Sequence, residues 1–554
     1  MRRVATDPAL VAETRSSGWA VSVAGELRRR WFEIGVAACA LGVGCFLLVQ
    51  LQAWPPHEDE TLALFVGRES ITGVLDTVLD QRGGAPLHFI LAWIVAHTNG
   101  GLVGLRLLSA IFATASVPVI ALLSRKLAGR KTALAATVLV SASWMLLFHG
   151  VYGRMYSLFL FTSALSFLAL LSASEKRTKR AWALWAVAVL LCVAAHPYGA
   201  IVLAIQGVYV VLTRVPLRVV VPAFASVFIL GIPFWRTDLV LAGRFDVGVG
   251  QGSSTLSSPS SIGSYLAGVA GDFTAGYAPV ITVVLLFALA GFLSLARRKP
   301  RTGVLMGAVV VVPLFALVIA KLGSAAPMSR HLIFILPFFA LAVAEGVVRL
   351  ASLLPRAAPL VATVVILALL PAEVAWGIHR TPELYRGEAG AHVKFRQAAS
   401  AYLASVALPD DVLFGYEPIY LEALDRGGHL SKRVVPRADA TLALSALQNA
   451  TKPLGHGVWI FDASDTTNGS SRRETIPLQS PSPASSFTVK AFGPFLVIRT
   501  VKPTECVRSY LKLARRVELL GTSPGFELGD ADVNLGTVLT ALGKLATEKN
   551  APAC

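Results

Sequence analysis

Charge is scarce in this sequence, and acidic charge most of all. Only 15% of the 554 residues are charged, with 33 Asp and Glu against 50 Lys and Arg, too few to clothe so long a chain as soluble domains. Cysteine is rarer still. Five residues, with no C-x-x-C pair and no Cys/His spacing, are too few for a disulfide framework and suggest no metal site. A Walker sequence and a G-x-S-x-G elbow are both missing, which removes the usual ATPase and hydrolase readings. The run Gly248 to Gly252 has no strand before it and no nucleotide-binding helix after it, so it makes a poor phosphate cradle. No internal repeat of roughly 20 to 50 residues is found.

What the chain has in abundance is apolar surface: 55% hydrophobic residues and a mean hydropathy of +0.64 place it in the membrane class. The net charge of +17 would point to nucleic acid in a soluble protein. In a membrane bundle it is explained by basic cytoplasmic loops that fix orientation, and nucleic-acid binding is not expected. Cys39, Cys45 and Cys192 lie within apolar runs and read as small packing residues, while Cys506 and Cys554 could meet outside the membrane. The first apolar run starts near residue 34, after Arg28, Arg29 and Arg30, and lacks an A-x-A site. It reads as an uncleaved first helix.

The expected fold is therefore a polytopic α-helical membrane protein of about eleven spans with a small extracytoplasmic α/β domain. Residues 1–33 form a cytoplasmic tail, 34–378 the membrane domain and 379–554 the outer domain. The first span, Ile34 to Trp54, delivers His57-Glu58-Asp59-Glu60 to the outer face, in an outer loop covering 55–103. Within that loop Pro86 to His97 is too short to cross a core about 30 Å thick and is read as an interfacial helix. Further spans fall at 104–124, 132–150, 155–173, 181–195, 197–213, 218–235, 277–296, 303–321, 331–349 and 357–378, and this count leaves every basic cluster, such as Glu175 to Arg180, inside. The Gly/Ser-rich stretch 236–276 is expected to be a mobile outer loop. After Arg380, short β-like runs at Val412 to Phe414, Val458 to Phe461 and Phe495 to Ile498 alternate with helical stretches such as Lys394 to Ala407.

Residues that could carry chemistry gather at the outer face. Asp59 and Glu60 follow the first span, where an ionised and aimed carboxylate can serve as general base toward a hydroxyl; an ordinary wet acidic loop is the plainer alternative. Arg154 and Arg330 stand at outer helix ends, against the positive-inside bias. A guanidinium there can clamp a lipid phosphate, or simply snorkel to the interface. His196 ends another outer hairpin and either reaches the same cavity or is a structural histidine. Asp80 either orients a substrate or caps the interfacial helix.

The order of these features resembles the GT-C superfamily of polyprenyl-phosphate-sugar-dependent glycosyltransferases, in the branch of protein O-mannosyltransferases and lipid A aminoarabinose transferases. The matching pieces are Asp59-Glu60, Asp80 with Pro86-Leu87-His88-Phe89, Arg106-Leu107-Leu108-Ser109, Arg154-Met155-Tyr156, His196-Pro197, and Arg330-His331 followed by Pro337. Family members commonly have His-Pro-Pro-Leu where this chain has Gly84-Ala85-Pro86-Leu87. The resemblance implies inverting sugar transfer from a polyprenyl-phosphate donor to a cell-envelope acceptor, with membrane lipid as the medium; no matching metal cage is visible in this sequence, so no metal and no cofactor are expected. Asp59 would be the base and Glu60 would orient it or the acceptor. Arg330 and Arg154 would hold the donor phosphate, with Tyr156, Asp80, His196 and His331 completing the substrate site. A bacterial plasma membrane is the expected location. A lipid-linked sugar transporter or flippase is the alternative function, and a scaffold that merely anchors the outer domain is the third; polar residues at one face and the lack of repeats favour an enzyme over a transporter.

Overall fold

The computed structural model describes residues 30–245, 259–319, 328–386, 393–427, 433–436, 440–449, 453–462, 486–521, 540–542 and 544. A helix occupies each of the eleven apolar segments. Six are long and apolar enough to cross a membrane alone: Arg30–Val49, Gly101–Ala128, Tyr156–Lys176, Ala278–Arg298, Ser329–Ala351 and Ala358–Arg380. Two bent pairs, Arg130–Ala142 with Trp144–Val151 (51°) and Leu217–Leu230 with Ile232–Leu241 (58°), raise the number to eight when each is one span. The figure of eleven adds three further helices, Lys179–Ala195, Gly199–Leu212 and Pro300–Ile319. Length and composition by themselves give six to eight.

The first bend has a local cause. Ser143 is extended (φ −63°, ψ 130°), which interrupts the helical ladder, and Glu373 from the last long helix accepts from the freed Trp144 N–H. Helices Ala278–Arg298 and Leu336–Ala351 approach backbone to backbone, because a Cβ at Gly291 would collide with the Ala342 carbonyl and one at Gly346 with the Phe287 carbonyl. Outward-facing Leu41, Val49, Leu184, Val211 and Phe228 are exposed, as lipid-facing side chains must be.

The segment expected to be a mobile loop at 236–276 is largely helical, with Ile232–Phe245 and Pro259–Phe273 at its two ends. The Gly/Ser composition that suggested the loop is concentrated in 246–258, which lies outside the described residues together with the tail 1–29 and Cys554. Cys506 is disulfide-bonded, whereas Cys39, Cys45 and Cys192 are free. Pro86–His97 is a 12-residue helix with Pro at its first turn, pressed onto helix Glu58–Gly67 so closely that a Cβ at Gly67 would meet the Ala92 carbonyl at 2.8 Å.

Among the described residues the C-terminal region builds a five-stranded mixed sheet from β1 (Val412–Phe414), β2 (Val434–Val435), β3 (Gly457–Asp462), β4 (Phe487–Phe492) and β5 (Phe495–Thr500), in the order β2-β1-β3-β5-β4. β1 is parallel to β2 and β3; β5 is antiparallel to β3 and β4. Asp411, fully buried before β1, takes a two-point ion pair from Arg499 of β5 (3.1 and 3.2 Å). The sheet shares one apolar core with the loop helices that follow the first span: Leu62, Phe65, Val66 and Phe89 pack with Leu403, Ile419, Tyr420 and Val458. Thus the helix that begins at Glu58 is held by the membrane bundle at one end and by the α/β domain at the other.

Candidate functional site

Helix Glu58–Gly67 starts with a reciprocal cap: His57 Nδ1 accepts from the Asp59 N–H (3.2 Å) and Glu60 Oε2 accepts from the His57 N–H (3.0 Å). Glu60 is wholly buried. Arg106 of helix Gly101–Ala128 donates to both of its oxygens (2.8 and 2.7 Å), and the Gly153 N–H donates to Oε1 (2.7 Å). Arg106 also donates to the Leu51, Trp54 and Pro55 carbonyls, which ties down the turn leaving the first helix. Glu60 is consequently an anchor of the helix start, and residue 153 must be Gly because a Cβ there would sit 2.9 Å from Glu60 Oε1.

One residue earlier, Asp59 points away from this buried pair. Its Oδ2 accepts from Arg154 Nη1 and from Tyr152 OH (3.2 Å), and lies 3.4 Å from His57 Nδ1. Tyr152 and Arg154 come from the short connection between the bent helix Trp144–Val151 and helix Tyr156–Lys176. The anchoring of Gly153 on Glu60 sets where both of its neighbours point.

Tyr156, buried beneath them, is the platform of the site. The Arg154 and Arg330 guanidiniums lie 5.6 and 5.5 Å from its ring centre. Arg330 rides on the 3₁₀ turn Ser329–Ile335, and among the described residues its Nε has no hydrogen-bond partner. That turn is fixed by Ser329 Oγ donating to Asp272 (2.6 Å); Asp272 is paired with Arg380 (3.3 Å), which lies between Trp144 (5.2 Å) and Trp376 (5.7 Å). Burial raises the Asp272 carboxyl, opposed by Arg380 and the Ser329 bond.

His331 and His196 flank the platform, with ring centres 5.8 Å from Tyr156 and 5.7 Å from each other. His196 stacks on Phe159 (4.6 Å) and accepts from the Tyr198 N–H (3.0 Å), so it is part of the wall. Asp80 is not a cap of helix Pro86–His97, whose N-cap is Ala85 without a side-chain bond; it lies in the π-turn Thr77–Arg82 and pairs with Arg236. Beside Arg154 a narrow slot is lined by His88, Leu105, Leu108, Ser109, Phe112 and Leu158. Burial pushes the His88 imidazole down to about 4, against the charge of Glu60. Among the described residues no group of three His, Cys, Asp or Glu side chains could hold a metal ion.

The structure brings Asp59, Arg154, Tyr156, Arg330, His196 and His331 together. Tyr152, His57, Asp272 and Arg380 belong to the same assembly and were not singled out from the sequence. Tyr152 had a usable signal, standing two residues before Arg154; Asp272 and Arg380 are distant in sequence and carried none. With Glu60 neutralised by Arg106, the Arg154 and Arg330 guanidiniums stand beside the Asp59 carboxylate, an arrangement suited to an oxyanion next to a proton acceptor.

A membrane helical bundle that presents this carboxylate–guanidinium site at one end, beneath a small α/β domain, is a recognisable architecture. Among solved structures the chain is similar to ArnT from Cupriavidus metallidurans in the apo state, with a TM-score of 0.52 and 14% identity over 88% of this chain and 98% of that one. It is similar also to the same protein bound to undecaprenyl phosphate (TM-score 0.51, 13% identity, 85% and 98% covered). A third similarity is to the Archaeoglobus fulgidus oligosaccharyltransferase tethered to an acceptor peptide containing the NVT sequon (TM-score 0.50, 13% identity, 78% and 69% covered). At such identities the common property is the fold, and it is the GT-C-like fold expected above. No protein-family model and no curated protein sequence matches the chain.

Proposed function

We propose that this chain is an integral-membrane inverting glycosyltransferase that moves a sugar from a polyprenyl-phosphate donor to a cell-envelope acceptor. The observation that carries the reading is the convergence of Asp59, Arg154 and Arg330 around Tyr156. Asp59 takes the proton of the acceptor hydroxyl, the acceptor oxygen bonds to the anomeric carbon, and the bond from that carbon to the phosphate oxygen breaks. The electron pair leaves on the phosphate, whose growing charge Arg330 and Arg154 stabilise. Phosphate leaves well as an anion, so no general acid is required. Likeness in fold to ArnT with undecaprenyl phosphate bound supports a lipid phosphate as donor.

The site faces the outside of a bacterial plasma membrane, with the N-terminus cytoplasmic and residues 379–554 extracytoplasmic. Arg125, Lys126, Arg130, Lys176 and Arg298 gather at the bundle end opposite the site, the distribution expected of a cytoplasmic face. The test is sugar transfer by purified protein in lipid, with a panel of polyprenyl-phosphate sugars and crude cell-envelope acceptors. Wild type should transfer with at least one donor and Asp59→Asn should not. Undiminished transfer by Asp59→Asn removes Asp59 as the base.

A further inference from the structure

We infer that Asp59 and the donor phosphate compete for Arg154, so that seating the donor loosens the hold of Arg154 on Asp59 and transfer completes its release. This rests on the transferase reading above. Among the described residues Arg154, Tyr152 and His57 all meet the Asp59 carboxylate at one oxygen, Oδ2, and Arg154 is the charged one among them. A guanidinium on a carboxylate favours its ionised form and so weakens it as a proton acceptor. Arg154 is also committed to the other side of the site. It lies over the Tyr156 ring that Arg330 covers too, and its side chain is only 16% exposed, so it cannot swing far from either anion.

Among the described residues the buried Nε of Arg330 has no partner, and Arg330 stands on a turn held by Ser329 and Asp272. An oxyanion drawn to Arg330 settles over the same ring as Arg154, which then serves two anions. A polyprenyl phosphosugar brings one negative charge, as the carboxylate does, so the initial contest is even. Transfer tips it. As the sugar leaves, the phosphate acquires its second charge, and as the acceptor proton arrives, Asp59 loses its own. Both changes move Arg154 toward the phosphate, so its stabilisation is greater in the transition state than in the ground state. Tyr152 OH, whose one proton can go to Asp59 Oδ2 (3.2 Å) or to His57 Nδ1 (2.8 Å), turns to the carboxylate and keeps it aimed after Arg154 has gone.

Equilibrium binding of polyprenyl phosphate to the full chain in lipid nanodiscs tests this directly. Removing the competitor in Asp59→Asn should tighten binding by about tenfold, within the usual range of coupling between sites. The gain should vanish in an Arg154→Gln background and be absent for uncharged polyprenol. Asp425→Asn, an exposed carboxylate paired with Arg68, should leave affinity unchanged. Equal affinity of Asp59→Asn and wild type overturns the inference, as does a gain that persists without Arg154. Failure of wild type to bind polyprenyl phosphate at all instead overturns the transferase reading. A second measurement needs no variant: labelled donor bound first should be trapped into product when acceptor is added, whereas acceptor bound first should exchange away. Equal trapping in both orders also defeats the proposal.

Discussion

Glu60 and Arg106 form a two-point ion pair with almost no solvent contact on either side chain, 46 residues apart in sequence. Breaking a buried pair from one side leaves an uncompensated charge and costs about 3 to 5 kcal/mol. Arg106→Met should therefore lower thermal stability far more than Asp59→Asn, whose carboxylate is 30% exposed. Glu60→Ala should lower stability in the same way and also lose transfer, because Gly153 is released and Arg154 and Tyr152 lose their aim. Unfolding curves in detergent and transfer rates separate the two effects.

Arg330→Gln should retain the fold and lose about 100- to 1,000-fold in kcat, the loss typical of one donor to a developing oxyanion. The charge is spent on the leaving phosphate, so a donor whose leaving group is already a better anion should recover part of the loss. Ser329→Ala should give a smaller loss of the same kind, since it loosens the turn that carries Arg330 while leaving the guanidinium present. Equal activity of Arg330→Gln and wild type would remove it from the site.

Which parts of this site were legible in the sequence follows from distance along the chain. Asp59, Arg154 and Arg330 stood out because a charge at the end of an apolar run is anomalous wherever it falls. Pairing was not legible. Asp59 and Glu60 are neighbours with the same chemistry, yet one faces Arg154 and the other is sealed against Arg106, and only the helix start capped by His57 decides which. Asp80 looked equivalent to them by composition and was drawn instead to Arg236, in a segment that the Gly/Ser content beyond it disguised as loop. Apolar runs located the long membrane-span helices among the described residues but did not show that the one at 130–151 bends at Ser143, because the cap on that bend, Glu373, lies more than two hundred residues away.

Of the contacts that join the segment Glu58–Arg68 to the α/β domain, two differ sharply in magnitude. Arg68 pairs with Asp425 (3.0 Å), with 32% and 58% of the side chains exposed, and such a pair contributes about 0 to 1 kcal/mol. Phe65 meets Tyr416 with ring centres 6.1 Å apart, inside the apolar core shared by both regions. Tyr416→Ala should cost about 2 to 4 kcal/mol and reduce transfer, by loosening the far end of the helix that carries Asp59. Arg68→Ala should change neither stability nor rate measurably. Differential scanning fluorimetry and transfer assays on the two variants would show whether packing or charge makes this junction.

His88 gives the chain a dependence on acid. Its imidazole is held neutral by burial, with a folded pKa of about 4 against an ordinary value of 6.5. Between those values the unfolded chain binds more protons than the folded one, so folding stability falls as pH falls. The contribution is complete above about pH 6.5 and lost progressively down to about pH 4, on the order of 3 kcal/mol in all. His88→Phe keeps the ring volume and removes the titration. Its melting temperature should decline less than that of wild type between pH 6.5 and 4, while the two curves run parallel above pH 7. Parallel curves across the whole range would mean that the slot beside Arg154 admits water in the folded protein and that His88 titrates freely there.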